Sequence, residues 1–223
     1  MSWLELCAAF VFFFLSHTIP VRPVIKERLI ERVGKTSFLL LYSGVSLVAL
    51  AWIISAAGRA PYVEIWSWQP WHSWITVGLM LSACVLVCLV IGKPNPFSFG
   101  GRNNASFDVN KPGLFRFLRH PLLVALALWS GSHTLANGDL AHVLVFGTFT
   151  CFTILGQWII DRRKKRELGA RWVELVAQSR KAEFSIYSGS FIDTITRILI
   201  GLLLFLCTFF LHEVLIGVPP LPL

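Results

Sequence analysis

Long apolar runs separated by short polar, proline- and glycine-marked stretches make up most of the chain. Six runs, at about 2–19, 37–57, 74–92, 116–136, 140–160 and 195–216, each approach the roughly 20 apolar residues that cross a bilayer as a helix. The stretch 166–181 has another rhythm. Leu168, Trp172, Leu175 and Val176 recur at i, i+4, i+7 and i+8 between arginines and glutamates, which predicts an amphipathic helix lying on the cytoplasmic leaflet and held by acidic lipid. The pattern therefore predicts an all-α fold: a polytopic membrane helix bundle of about six transmembrane helices plus an amphipathic cytoplasmic helix, in one domain over residues 1–223. The first run carries Glu5 and has neither a basic leader nor a small-x-small cleavage site, so it is read as a helix of the mature protein.

Composition agrees with the pattern. Hydrophobic residues are 55% of the chain, charged residues 14%, and the mean hydropathy is +0.67. Soluble domains carry roughly 25% charged residues, so this chain has too little polar surface to cover itself in water. The net charge of +8 does not form one basic patch, which argues against nucleic acid as a partner. Instead, all the lysines and arginines but Arg59 fall in the stretches after the first, third and fifth runs or in the first turn of the run that follows. By the positive-inside rule those stretches face the cytoplasm and both termini lie outside, as expected for a multi-pass protein of the bacterial inner membrane. Trp66, Trp68, Trp71 and Trp74 crowd one outer loop and read as an interfacial belt.

Candidate chemistry is sparse. Cys7, Cys84, Cys88, Cys151 and Cys207 all lie in apolar runs without metal-site spacing and read as packing residues. No carboxylate pair, Ser/His/Asp set or phosphate loop is visible in the linear sequence. The histidines remain, because ionisable groups at membrane depth are costly and usually functional. His72, His142 and His212 fall at helix ends or in a loop, where they can reach headgroups. His17, His120 and His133 lie within apolar runs, and imidazoles from different helices can clamp a haem. The loop 93–102 leads into Gly113-Leu114-Phe115-Arg116-Phe117-Leu118-Arg119-His120-Pro121, where Arg116 and Arg119 beside a proline-started helix can hold an anion.

These segments carry a resemblance. Ser16-His17 with Arg22, Pro94-Asn95-Pro96-Phe97, the run from Gly113 to Pro121, and Trp129-Ser130-Gly131-Ser132-His133 through Asp139 resemble the NnrU family of bacterial membrane proteins over nearly the whole chain. That family is associated with denitrification and nitric oxide metabolism. It is similar to plant zeta-carotene isomerase, a haem b membrane enzyme acting on a small hydrophobic substrate. The resemblance implies haem b as cofactor and nominates His17 and His133 as axial metal ligands; Ser130 stands where the isomerase offers a cysteine. Depth along the fourth run instead pairs His17 with His120, near the basic side, where Arg116 and Arg119 would meet haem propionates. The partner of His17 stays open between His133 and His120. If the protein is an enzyme, a haem-dependent isomerase or oxidoreductase is the expectation.

A more distant resemblance competes. The Arg-His-Pro element at 119–121 and Glu167-Leu168-Gly169 with Trp172 are similar to membrane isoprenylcysteine and phospholipid methyltransferases, which implies S-adenosylmethionine as the alternative cofactor. A cofactor-free assembly or scaffold protein is the third reading. The oligomeric state is not legible.

Overall fold

A computed structural model describes residues 3–183, 185 and 190–221. The far ends of the first predicted span and of the outer tail, residues 2 and 222–223, lie outside them. The described residues form eight α-helices: α1 (Trp3–Thr18), α2 (Pro23–Val33), α3 (Lys35–Arg59), α4 (Pro70–Val90), α5 (Pro121–Ala136), α6 (Leu140–Leu168), α7 (Ala170–Lys181) and α8 (Phe191–Ile216). Among the described residues the only β pairing is an isolated bridge between Glu64 and Asp139. The protein is an all-α helical membrane protein.

Helices α3, α4, α6 and α8 are each long and apolar enough to cross a bilayer; α1 and α2 together would make a fifth span, bent by 78°. Their surfaces fit that setting. Leu40, Leu47, Val48, Ile192, Leu203 and Phe210 are all well exposed, as side chains facing lipid are.

Several boundaries differ from the sequence reading. Residues 23–33, expected as a loop, form α2, started by Pro23 in the first turn, where its missing N–H costs no hydrogen bond. The fourth predicted run is helical only from Pro121 rather than 116, because residues 113–116 form a separate 3₁₀ turn. That leaves α5 with 16 residues and turns His120 into its N-cap, with φ −120° and ψ 57°, so His120 is not a turn deep inside the helix. The fifth span continues through the basic run to Leu168.

The chain divides into two compact units: Met1–Ser67 with Gly138–Val145, and Trp68–Asn137 with Phe146–Leu223. In the first, α1 packs on α3. Ala9, Ala49 and Ile53 are fully buried, and the small alanines let helix backbones approach. Glu5 of α1 is ion-paired with Arg59 of α3, which gives the one arginine outside the basic stretches a carboxylate partner. In the second unit, α4 is central, with α5 and α8 packed on it. Gly201 of α8 makes that approach possible: a Cβ there would lie 2.7 Å from Val85 Cα.

Helix α7 is amphipathic as expected, but its apolar stripe faces protein. Trp172 is buried in a cluster with Val90, Phe97 and Phe115, and Leu168, Leu175 and Val176 pack around it. The ring of Phe97 meets that of Trp172 edge-on, at 5.6 Å. The predicted lipid anchor is thus a core element of the second unit, with Val173 the exposed apolar residue.

Candidate functional site

The basic end of the second unit is closed by a hydrogen-bonded clasp. Pro94 and Pro96 stiffen the loop after α4, and Asn95 between them is buried. Its Nδ2 donates to the Arg119 carbonyl (3.0 Å), and its Oδ1 accepts from Phe97 N–H (3.0 Å). The Asn95 N–H donates to Asn104 Oδ1 at 2.9 Å. Gly101 is needed there, since a Cβ would sit 2.8 Å from Asn95 N and 2.5 Å from Asn104 Oδ1.

Within this clasp Ser98, His120 and Asp161 line up. Ser98 Oγ is 3.0 Å from His120 Nδ1, and His120 Nε2 is 2.8 Å from Asp161 Oδ1. Arg119 completes the group: its NH2 donates to Asp161 Oδ2 at 2.6 Å and its Nε to Oδ1 at 3.3 Å. A neutral imidazole satisfies both contacts at once, accepting from the serine and donating to the carboxylate. Burial holds the His120 imidazole below its usual pKa, and the Asp161 carboxylate opposes that only in part. Three residue types of a hydrolytic triad therefore meet, contrary to the sequence reading. The serine is only 4% exposed and the histidine 3%, so the group is packed shut and not open to substrate. Both ring nitrogens of His120 are engaged, leaving none for an axial bond. The Arg119 charge is matched by Asp161, while Arg116 lies over the Phe117 ring at 5.2 Å.

His133, in the last turn of α5, is built differently. Its Nδ1 lies 2.8 Å from the Trp129 carbonyl one turn back, and Ser132 Oγ is 3.4 Å from the same nitrogen. With Nδ1–H donated to a carbonyl, Nε2 keeps its lone pair, the arrangement that metal-bound histidines use. Aromatic rings surround it: Phe146 at 5.0 Å and Trp129 at 5.6 Å. The small residues around it serve packing. Ser130 is fully buried and accepts from Thr150 of α6 at 2.9 Å, and Thr76 of α4 donates to the Ser132 carbonyl at 3.0 Å.

His17, in the first unit, repeats the local build of His133. Its Nδ1 is 2.8 Å from the Phe13 carbonyl and 3.4 Å from Ser16 Oγ, and Phe13 stacks on the ring at 4.0 Å. The sequence Ser-His at the end of an apolar helix thus gives the same tethered imidazole twice. The remaining histidines have structural roles or were misplaced by the sequence reading. His72, expected in an open loop, sits in the first turn of α4, buried, and accepts from the Gln69 N–H at 3.2 Å. His142 pairs with Asp139, 2.7 Å away, at the start of α6. His212 lies near the end of α8 with Nδ1 2.7 Å from the Val218 carbonyl, and its ring centre is 6.4 Å from that of His133.

The sequence reading missed Ser98 and Asp161 as partners of His120, and His212 as a neighbour of His133. Helix periodicity carries no signal for contacts this remote in sequence. Among the described residues, no three His, Cys, Asp or Glu side chains converge to hold a metal ion. What the chain does present is tethered imidazoles with one nitrogen to spare.

The all-α, multi-pass arrangement of long apolar helices defines the class: an integral membrane protein. The family model described as NnrU protein matches residues 5–220, and the chain belongs to that family. No curated protein and no solved structure matches it.

Proposed function

We propose that this NnrU-family protein binds haem b in the bacterial inner membrane, with a redox or isomerase-like role in nitric oxide metabolism and denitrification. The observation that carries the reading is the twin Ser-His build of His17 and His133. In each, a helix carbonyl takes Nδ1–H and leaves Nε2 as the available donor. The donor set fits haem better than a bare ion. Structural zinc and similar ions need three or four protein ligands, whereas a porphyrin brings four nitrogens of its own and asks the protein for one or two. When bound, the haem supplies one-electron chemistry and a Lewis-acidic iron; the chain supplies the imidazoles and an apolar aromatic setting that excludes water. His133 is favoured over His120 because His120 has both ring nitrogens engaged.

The test is the absorption spectrum of the purified, detergent-solubilised full chain. A Soret band with reduced α and β bands is the expected result; a chain that takes up no haem even when haemin is supplied refutes the reading and leaves the methyltransferase and scaffold alternatives, which thermal stabilisation by S-adenosylmethionine tells apart. We further propose that the basic stretches face the cytoplasm. Reporter fusions after residues 35 and 111 should then report cytoplasm, and those after 62 and 138 the opposite side.

A further inference from the structure

Resting on the haem reading above, we propose that His212 supplies the axial imidazole facing His133 across the iron, so that one unit of the chain holds both ligands. Helices α5 and α8 both pack on α4, and this brings the two rings to a centre-to-centre distance of 6.4 Å with their planes 37° apart. Two imidazoles on opposite sides of one metal, each bonded at about 2.0 Å and each with its ring centre about 1.1 Å behind the bonded nitrogen, have centres about 6.3 Å apart. A tetrahedral angle at the metal would bring them closer. The observed separation matches that spacing.

Both rings are also in the right tautomer. His212 Nδ1 is engaged by the Val218 carbonyl at 2.7 Å, as His133 Nδ1 is by that of Trp129. That contact depends on how α8 ends. Gly217 takes φ 85°, a left-handed conformation that favours glycine, and it turns the chain so that the Val218 carbonyl comes back to the His212 ring. Each histidine thus has a backbone acceptor at Nδ1 and keeps Nε2 for the metal. With no third side-chain ligand nearby among the described residues, a group carrying its own equatorial nitrogens is the one that two imidazoles suffice to hold.

Haem-loaded full-length protein, in wild-type form and as His212→Ala, His133→Ala and His17→Ala, tests this by absorption and electron paramagnetic resonance. His212→Ala should turn a six-coordinate low-spin spectrum into a high-spin one, and added imidazole should restore it, which also shows that the variant is folded. His212→Met should give a His–Met spectrum in place of the bis-histidine one, while His72→Ala, at a ring engaged by the Gln69 N–H, should remain low-spin. A bis-histidine spectrum that survives in His212→Ala and disappears in His17→Ala overturns the proposal and leaves the haem reading standing. Wild-type protein without any haem signal overturns the haem reading itself, so the two failures are told apart.

Discussion

Helix α5 carries a histidine at each end, and the two have opposite surroundings. His120, at the N-cap, is buried and uses both ring nitrogens, one toward Ser98 and one toward Asp161. His133, in the last turn, has one nitrogen tied to a backbone carbonyl and the other without a hydrogen-bond partner among the described residues. Sequence position alone made them near-equals, since both sit beside apolar residues of one run. The difference teaches that a histidine at membrane depth is classified by the count of its satisfied nitrogens. A saturated ring holds structure together; a half-satisfied ring is a donor awaiting an acceptor.

The largest expected effect breaks this comparison from the saturated side. His120→Ala removes one partner of Asp161 and the partner of Ser98 together, leaving the buried Ser98 hydroxyl without this hydrogen bond and Asp161 with Arg119 alone. A loss of about 2–3 kcal/mol is expected, visible as a lower thermal midpoint of the detergent-solubilised protein. The ligation of whatever haem the folded fraction binds should be unchanged. His133→Ala should do the reverse, shifting the spectrum with little change in the midpoint of the haem-free form. Equal thermal losses in the two variants would dissolve the distinction.

A second variant probes the clasp without touching a histidine. Gly101→Ala forces a Cβ against Asn95 N and Asn104 Oδ1, and the first of these is backbone that cannot swing aside. A cost of about 1–3 kcal/mol is expected from overpacking. Gly147→Ala in α6 is the matched control, because nothing lies within 4 Å of the added methyl; it should be neutral or slightly stabilising, since alanine is the better helix former. If both variants melt alike, the close approach at Gly101 is not a constraint.

These features differ in how far the sequence reveals them. The long spans were legible because bilayer crossing demands a local run of apolar residues, and α3, α4, α6 and α8 obey it. Helix α2 was not, since its eleven residues mix Val24, Ile25, Leu29 and Ile30 with charges and are too short to register as a span. The start of α5 was misjudged because Phe115, Phe117 and Leu118 extend the apolar run backwards, although Pro121 carried the true start signal. Trp172 was assigned to lipid because an amphipathic stripe does not say whether protein or membrane covers it. Of the candidate site, the carbonyl tethers of His17 and His133 are local, at i−4, and follow once the helices are known. The meeting of Ser98 with His120 and of His120 with Asp161 spans 22 and 41 residues, and the neighbouring rings of His133 and His212 are further apart still in sequence. Contacts of that kind are set by which helices pack, which hydropathy does not encode.

The smallest expected effect concerns the sign of a pH dependence at the clasp, where two influences oppose each other. Burial disfavours a charged His120, while the Asp161 carboxylate 2.8 Å from Nε2 favours one. Burial prevails, so the folded-state pKa lies below the usual value. A histidine depressed in this way stays neutral in the fold while the unfolded chain takes up a proton near pH 6.5. The unfolded state then binds more protons, and stability falls as the pH drops through the unfolded histidine value of about 6.5. The contribution is fully present above the unfolded pKa and diminishes below it. Subtracting the melting behaviour of His120→Gln removes the other titrating groups and isolates this one. A wild-type advantage over His120→Gln that shrinks as the pH falls supports a neutral, Ser98-accepting imidazole. If wild type instead gains stability over His120→Gln on acidification, the carboxylate outweighs burial, and the group at the N-cap is an imidazolium–carboxylate pair.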